Sequence, residues 1–235
     1  MTRILLLLLL LVCVMPSLAS DPPARITVEA QIWTLPAELA LPMIPRLRDP
    51  ESNSAAIQSL RQFRTEGRAS LLAQPRFISG GSRHGSAETM VEQREPCEWD
   101  PFTERGMIHR PVAGVRNTYR YGSTVLPPSA IGSRNVGVTL EGAAVVSHDG
   151  QAIDLSVAIS QTILDGWKSL PGGSTLGEAV AFRPVPQYRV LNTKPANVRL
   201  RSGAWILTGS FMPSQPGQPF VLHLLRATIH PVTDP

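Results

Sequence analysis

From Ile26 the chain alternates: Ile26, Val28, Ala30 and Ile32 fall on one side, Thr27, Glu29 and Gln31 on the other. Apolar positions at a period of two, several of them β-branched, predict a half-buried strand. Pro36, Pro42, Pro45 and Pro50 follow. Each removes a backbone N–H and crowds the turn before it, so no long helix or strand is expected there, only a short helical turn around Ala37 to Leu41. The period changes in SNSAAIQSLRQFRTEG, where Ile57, Leu60 and Phe63 or Arg64 keep helical spacing while Gln58, Arg61 and Gln62 point away. Ser52 or Ser54 is placed to cap the start and Gly67 to end it. This is the one helix the pattern predicts, and its expected role is to cover one face of a sheet.

Strands and turns are expected after Gly67. Ser70 to Ala73 and Arg76 to Ile78 flank Pro75, and Gly80-Gly81-Ser82 turns the chain toward a strand at about Ser86 to Gln93. Asp149-Gly150 is a strong two-residue hairpin signal, because both positions tolerate positive φ. Placed at a tip, it sets Val146 opposite Ile153, Ala144 opposite Leu155, Gly142 opposite Val157 and Leu140 opposite Ile159, all apolar or glycine on one face. The other face pairs Val145 with Asp154, Ala143 with Ser156 and Glu141 with Ala158, a mostly polar surface. Turn chemistry and burial therefore demand the same register. A loop, SLPGGSTLG from Ser169, is expected to separate these strands from the last ones. Those are Ala196 to Leu200, a turn at Ser202-Gly203, Ala204 to Phe211, the loop MPSQPGQP, and Phe220 to Ile229. The expected fold class is predominantly β with one early α-helix, an α+β antiparallel sheet of hairpins.

Composition sets the context. The chain has 235 residues. Arg3, the apolar run Ile4 to Val14 and the small-residue site Ser17-Leu18-Ala19 predict a cleaved export signal over residues 1–19. Residues 20–235 are then expected to form one domain, with an irregular insertion at about 96–135, rich in proline, glycine and arginine. Cys13 falls in the apolar run, which leaves Cys97 without an internal disulfide partner. The net charge is +4, with scattered basic residues and no aromatic-interleaved basic stripe, so no nucleic-acid partner is expected.

Candidate chemistry is sparse. Ser147-His148-Asp149 spells the residue types of a hydrolase triad, but neighbours in a strand point to opposite faces and those at a tip splay apart, so they cannot converge. His84, His109, His148, His223 and His230 show no metal spacing, and the expectation is exposed or satisfied histidines, with His223 and His230 on opposite faces of one strand. Gly80 to Gly85 lacks the Lys-Ser/Thr and the following helix of a phosphate loop. Cys97 has no partnered base. Glu92, Glu95 and Glu98 with Arg94 and Arg105 read as a solvated charge mixture, and Trp33, Trp99, Trp167 and Trp205 as core or rim anchors. No catalytic residue, metal or cofactor is expected, and the chain is not expected to be an enzyme.

Several ordered pieces share one pattern: ITVEAQIWTL; GRASLLAQPRFISGG with Pro75-Arg76, then Ala87 to Val91; GVTLEGAAVVSHDGQAIDLSVAIS with Gly137 and Leu140; YRVLNTKPANVRLRSGAWILTGSF with Gly209; and FVLHLLRATIHPV. In this order they resemble the C-terminal channel domain of bacterial secretins, the outer-membrane channels of type II and III secretion and type IV pilus systems. The pieces run from about Ile26 to Val232. Gly142 and Ala144 stand where a bulkier residue and proline are usual, and Gly209-Ser210-Phe211 leads into a short loop in place of the gate-associated segment. The resemblance implies a reduced secretin-like domain, exported to the periplasm or outer membrane. It implies partners that are copies of itself or other secretion or pilus envelope proteins, with membrane association open. The alternative is a soluble periplasmic binding or accessory module that kept the fold without a gated pore.

Overall fold

The computed structural model describes residues 25–49, 51–80, 83–99, 124–125, 128–176, 179–215 and 217–230. Its elements are β1 (Arg25–Leu35), α1 (Ala37–Arg48), α2 (Asn53–Thr65), β2 (Ser70–Ala73), β3 (Arg76–Gly80), β4 (His84–Trp99), β5 (Thr124–Val125), β6 (Pro128–Val146), β7 (Ala152–Leu176), β8 (Ala179–Arg201), β9 (Trp205–Phe211) and β10 (Phe220–His230). They build two five-stranded sheets, one in the order β2-β1-β10-β9 with β3 also on β1, the other in the order β4-β6-β7-β8-β5. All described ladders are antiparallel except the short β5–β8 pair. The α+β, predominantly antiparallel fold class expected from the pattern is the one observed.

Three layers follow from the alternation. Ile26, Val28, Ala30 and Ile32 of β1, with Val221, Leu225 and Ala227 of β10, pack on Leu140 and Ala144 of β6 and Ile153, Leu155, Val157 and Ile159 of β7. On the other side of the first sheet, Trp33, Leu35, Leu222 and Leu224 pack under Met43 and Leu47 of α1 and Ile57 and Leu60 of α2. Asn53 ties the helices down: its Nδ2 donates to the Leu47 carbonyl at 2.9 Å and to the Trp205 carbonyl at 2.8 Å.

β1 is buried on both faces, not half-buried as its alternation predicts. The reason is a polar cluster beyond the helices. Gln31 Nε2 and Gln74 Nε2 donate to Glu29 Oε1 at 3.1 and 2.6 Å, and Trp33 Nε1 donates to Gln31 Oε1 at 3.1 Å. Arg226 closes it with a 2.6 Å contact to Glu29 Oε2. With these partners, Glu29 and Gln31 tolerate burial.

The proline-rich stretch also departs from expectation, because α1 runs through Pro42 and Pro45. Buried Ala40, Met43 and Leu47 form its inner stripe, while Glu38, Leu41, Pro42 and Pro45 are exposed. The carbonyls that lose an N–H partner belong to residues four positions earlier, Glu38 and Leu41, both on the exposed side of the helix. In α2 the inward and outward residues fall as the spacing predicts, and Gly67 follows its end with φ +71°. Ser52 precedes that helix without a side-chain cap; its hydroxyl bonds to Arg46 and Asp49 instead.

The central hairpin has the expected register, Val146↔Ile153, Ala144↔Leu155, Gly142↔Val157 and Leu140↔Ile159. Its tip differs. Ser147 N–H donates to the Ala152 carbonyl and Gly150 N–H to the Ser147 carbonyl, both at 2.8 Å. The connection is therefore His148 to Gln151, longer than a two-residue turn but centred on the same point, which preserves the register. Gly150 takes φ +68° there. Gly142 is a point of close approach in the sheet: with φ +154°, a Cβ would sit 2.2 Å from the Ser156 carbonyl oxygen.

Both expected loops are shorter. The strands β4 and β6 run to Trp99 and from Pro128, taking up the ends of the insertion expected at about 96–135. Residues 169–176, expected as loop, belong to β7. Expected features at Gly81, Ser82, residues 100–123 and the export signal lie outside the described residues.

Candidate functional site

The second sheet outgrows the sandwich. Strands β6, β7 and β8 have 19, 25 and 23 residues, against about 5–6 in an ordinary strand. The β6–β7 ladder stops at Gly137↔Thr162, yet β4–β6 pairing continues to Trp99↔Pro128 and β7–β8 pairing to Leu176↔Ala179. Two hairpins thus project past the core as separate arms. They meet through side chains: the Tyr188 hydroxyl of β8 donates to Glu95 Oε2 of β4, and the Arg134 guanidinium of β6 lies 4.6 Å from the Tyr188 ring centre. Burial, and then the Glu95 carboxylate, push the Tyr188 phenol up to about 12. Arg189 reaches Asp165 at 3.3 Å, and its Nε and Nη1 are buried without a hydrogen-bond partner among the described residues.

Among the described residues, both flanks of this sheet leave backbone unpaired. Among the described residues β4 pairs only with β6, and β8 pairs with β7 and, at Ala181 and Phe182 alone, with β5. An edge strand presents a row of N–H and C=O groups ready to pair with another chain. Three successive antiparallel ladders make β4 and β8 run in opposite directions. A β8 edge laid beside the β4 edge of a second copy therefore continues an antiparallel sheet.

A second polar site lies between the sheets. His223 is fully buried; its Nε2 donates to Gln161 Oε1 at 3.0 Å, and its ring centre lies 4.7 Å from that of Phe211. Nδ1 has no partner. Burial holds the imidazole down at about 4. Beside it Thr193 spans a bulge where β8 carries Lys194 and Pro195 against one β7 residue. Pro195 has no N–H to donate, and the Thr193 hydroxyl accepts from Ile159 N–H at 2.9 Å and donates to its carbonyl at 3.1 Å.

Sequence-predicted positions scatter across this frame. Ser147 Oγ lies 2.5 Å from Asp149 Oδ1 and 2.8 Å from the Ala152 carbonyl, while His148 is exposed. The serine and aspartate brace the tip: Asp149 also accepts from Gln151 N–H, and the Ser147 contact lowers its pKa. Gly80 ends β3, and Ser202-Gly203 turns β8 into β9 with Gly203 N–H on the Ala227 carbonyl at 2.7 Å. Pro75 offers its carbonyl to Ala30 N–H, and Arg76 opens β3 opposite Glu29. Leu140 is in the core, Gly137 abuts Thr89 and Met90 of β4, and Gly209 leaves room for Phe211 and Thr193. These positions are not gathered into one pocket.

Trp33 is buried, Trp205 lies under the Arg226 guanidinium at 4.6 Å, and Trp167 is largely exposed. The Trp99 side chain, His109 and Arg105 lie outside the described residues. Cys97 is exposed. Two expectations need correction. His223 is neither exposed nor fully satisfied, and Glu95 is not a free surface charge. Period-two placement put His223 inward or outward, but its partner on β7 is 62 residues away.

No family model matches the chain, and no curated protein matches it. Solved structures similar to it are secretins. One is the type II secretion system secretin GspD of E. coli K12, 12% identical, TM-score 0.42, covering 95% of this chain and 54% of that one. Another is Aeromonas hydrophila ExeD, 11% identical, TM-score 0.42, covering 97% and 52%. A third is the Salmonella SPI-1 type III secretion injectisome secretin InvG, 10% identical, TM-score 0.40, covering 100% and 70%. The chain spans about half the length of the first and second of these.

Proposed function

We propose that this chain is an exported, non-enzymatic envelope protein that works by assembling with copies of itself, as a structural or assembly component related to secretion or pilus channels. The observation that carries this reading is the pair of long edges left open among the described residues of the second sheet, β4 on one side and β8 on the other, running in opposite directions. Edge-to-edge joining of this kind is heterologous, and its product is a ring when the rotation closes. The ordered sequence resemblance to secretin channel domains supports the same reading and supplies the expected location, periplasm or outer membrane.

Cell fractionation tests it. The full chain, produced in a Gram-negative host, is expected in the envelope fraction as large species that persist in detergent and fall to single chains on boiling. A monodisperse monomer or dimer in the soluble periplasmic extract would overturn the assembly and establish the accessory-module alternative.

A further inference from the structure

The face of the first sheet that carries the helices is covered over only part of its length. α1 and α2 lie on Trp33, Leu35, Leu222 and Leu224, and the rest of that face is bare among the described residues. Residues directly opposite one another in a ladder share a face. On the bare part, Arg25 and His230 make one row, Ile78 and Thr27 the next, and Arg76, Glu29 and Arg226 the third. Arg25, Arg76 and His230 are exposed, and Ile78 between them is 66% exposed.

The one carboxylate in these rows is already engaged. Glu29 is buried, its Oε1 accepts from Gln31 and Gln74, and its Oε2 accepts from Arg226. Arg25 and Arg76 have no ion-pair partner among the described residues. Glu88 lines the same cleft between β3 and β4 as Arg76, without reaching it. Two arginines therefore flank an exposed isoleucine with no countercharge on this face.

The spacing defines a ligand. Alternate residues of a strand lie about 7 Å apart, which puts the Arg76 and Arg25 rows about 13 Å apart with Ile78 midway. Guanidinium groups hold carboxylates through two parallel N–H bonds, and covering Ile78 removes apolar area from water. Alternate side chains of an extended peptide, acidic, apolar and acidic, match all three positions at once. A bilayer matches them less well, since one isoleucine on a flat sheet face is little apolar area to bury among lipid headgroups.

We propose that this bare part of the face docks an acidic segment of a partner protein, extended along β3 and β1, with carboxylates on Arg76 and Arg25 and an apolar side chain on Ile78. The surface is separate from the strand edges of the second sheet, and the proposal holds whether or not copies of the chain assemble.

A fluorescent glycine-based peptide with glutamate, leucine and glutamate at alternate positions tests it, with anisotropy reading its binding to the full chain. The wild-type chain is expected to bind, and to bind more weakly as salt is raised. Arg25→Gln with Arg76→Gln is expected to weaken binding roughly tenfold, and Ile78→Ser, which leaves the charge alone, roughly threefold. Arg61→Gln with Arg64→Gln removes the same charge from exposed positions on α2 and is expected to leave binding unchanged. Circular dichroism verifies the folding of each variant.

Absence of binding by the wild type would overturn the proposal. So would an equal loss in the α2 variant, because the attraction would then belong to the overall charge. Vesicles of phosphatidylglycerol and phosphatidylcholine are the rival probe. Vesicle binding that falls with Arg25→Gln and Arg76→Gln, while the peptide stays unbound, would make the face a lipid-headgroup site and overturn the protein partner.

Discussion

His223 holds one ring nitrogen satisfied and the other bare. Because Gln161 Oε1 accepts from Nε2, the neutral ring keeps its proton there, and a second proton would have to sit on Nδ1, which has no acceptor. Burial lowers its pKa from an ordinary 6.5 to about 4 in the fold. Between those values the unfolded chain binds more protons than the folded one, so stability rises with pH across the window. The folded state is thus expected to keep the full benefit of a neutral His223 above about pH 6.5, and to lose about 3 kcal/mol as pH falls toward 4. Urea unfolding midpoints at a series of pH values check this, with His223→Gln as comparison. The variant is expected to lack that component of the acid slope, and an identical slope in both proteins would remove His223 as its source. Sequence showed that His223 faces away from His230, since strand parity decides that. It could not show the missing partner, which depends on where β7 and β9 cross β10.

At the scale of elements, local chemistry was legible wherever one face is buried. The hairpin of β6 and β7 kept its register although its tip is longer than a two-residue turn, because sliding either strand by one position would turn Leu140, Ala144, Ile153 and Leu155 toward solvent. The end of β7 was not legible. Pro171, Gly172 and Gly173 have the composition of a loop, but they lie where the arms have left the sandwich and no core face imposes alternation. Helix α1 was misread for a different reason. Proline counts against a helix by the bond it removes, and that penalty is small where the freed carbonyl meets water. The stripe Ala40, Met43 and Leu47 carries the helix regardless. Exposed Pro42 remains a local cost, so Pro42→Ala is expected to restore a bond to the Glu38 carbonyl. The net gain should be on the order of 1 kcal/mol, since alanine also loosens the unfolded chain. Thermal unfolding reads this as a higher midpoint, whereas a lower one would mean that proline stiffens α1 productively.

The whole molecule is closed by its ends. β1 and β10 pair along their entire length, Arg25↔His230 through Leu35↔Phe220. This pairing divides the strands into two sheets, and no local pattern announces it, because period-two alternation says which face is buried and not which strand lies alongside. The consequence is energetic as well as topological. Leu222 and Leu224 form the floor beneath the helices, while Val221, Leu225 and Ala227 fill the space between the sheets, so β10 contributes to both cores at once. Removing Phe220 to Pro235 would expose the backbone of β1 along that edge, uncover Trp33 and Leu35 beside it, and leave β9 with no described ladder. Contacts of such long sequence separation close late in folding, after the intervening loops have lost their freedom. A chain ending at Pro219 is therefore expected to lack a cooperative unfolding transition and to aggregate through its open β1 edge, while β6 and β7 keep some local hairpin structure. Limited proteolysis of the two chains distinguishes the cases: the full chain should resist cleavage within β1 and both helices, and the shortened one should be cut there first. Equal protection would mean that the second sheet and the helices can hold β1 without its partner, and the molecule would then be closed from within and not by its ends.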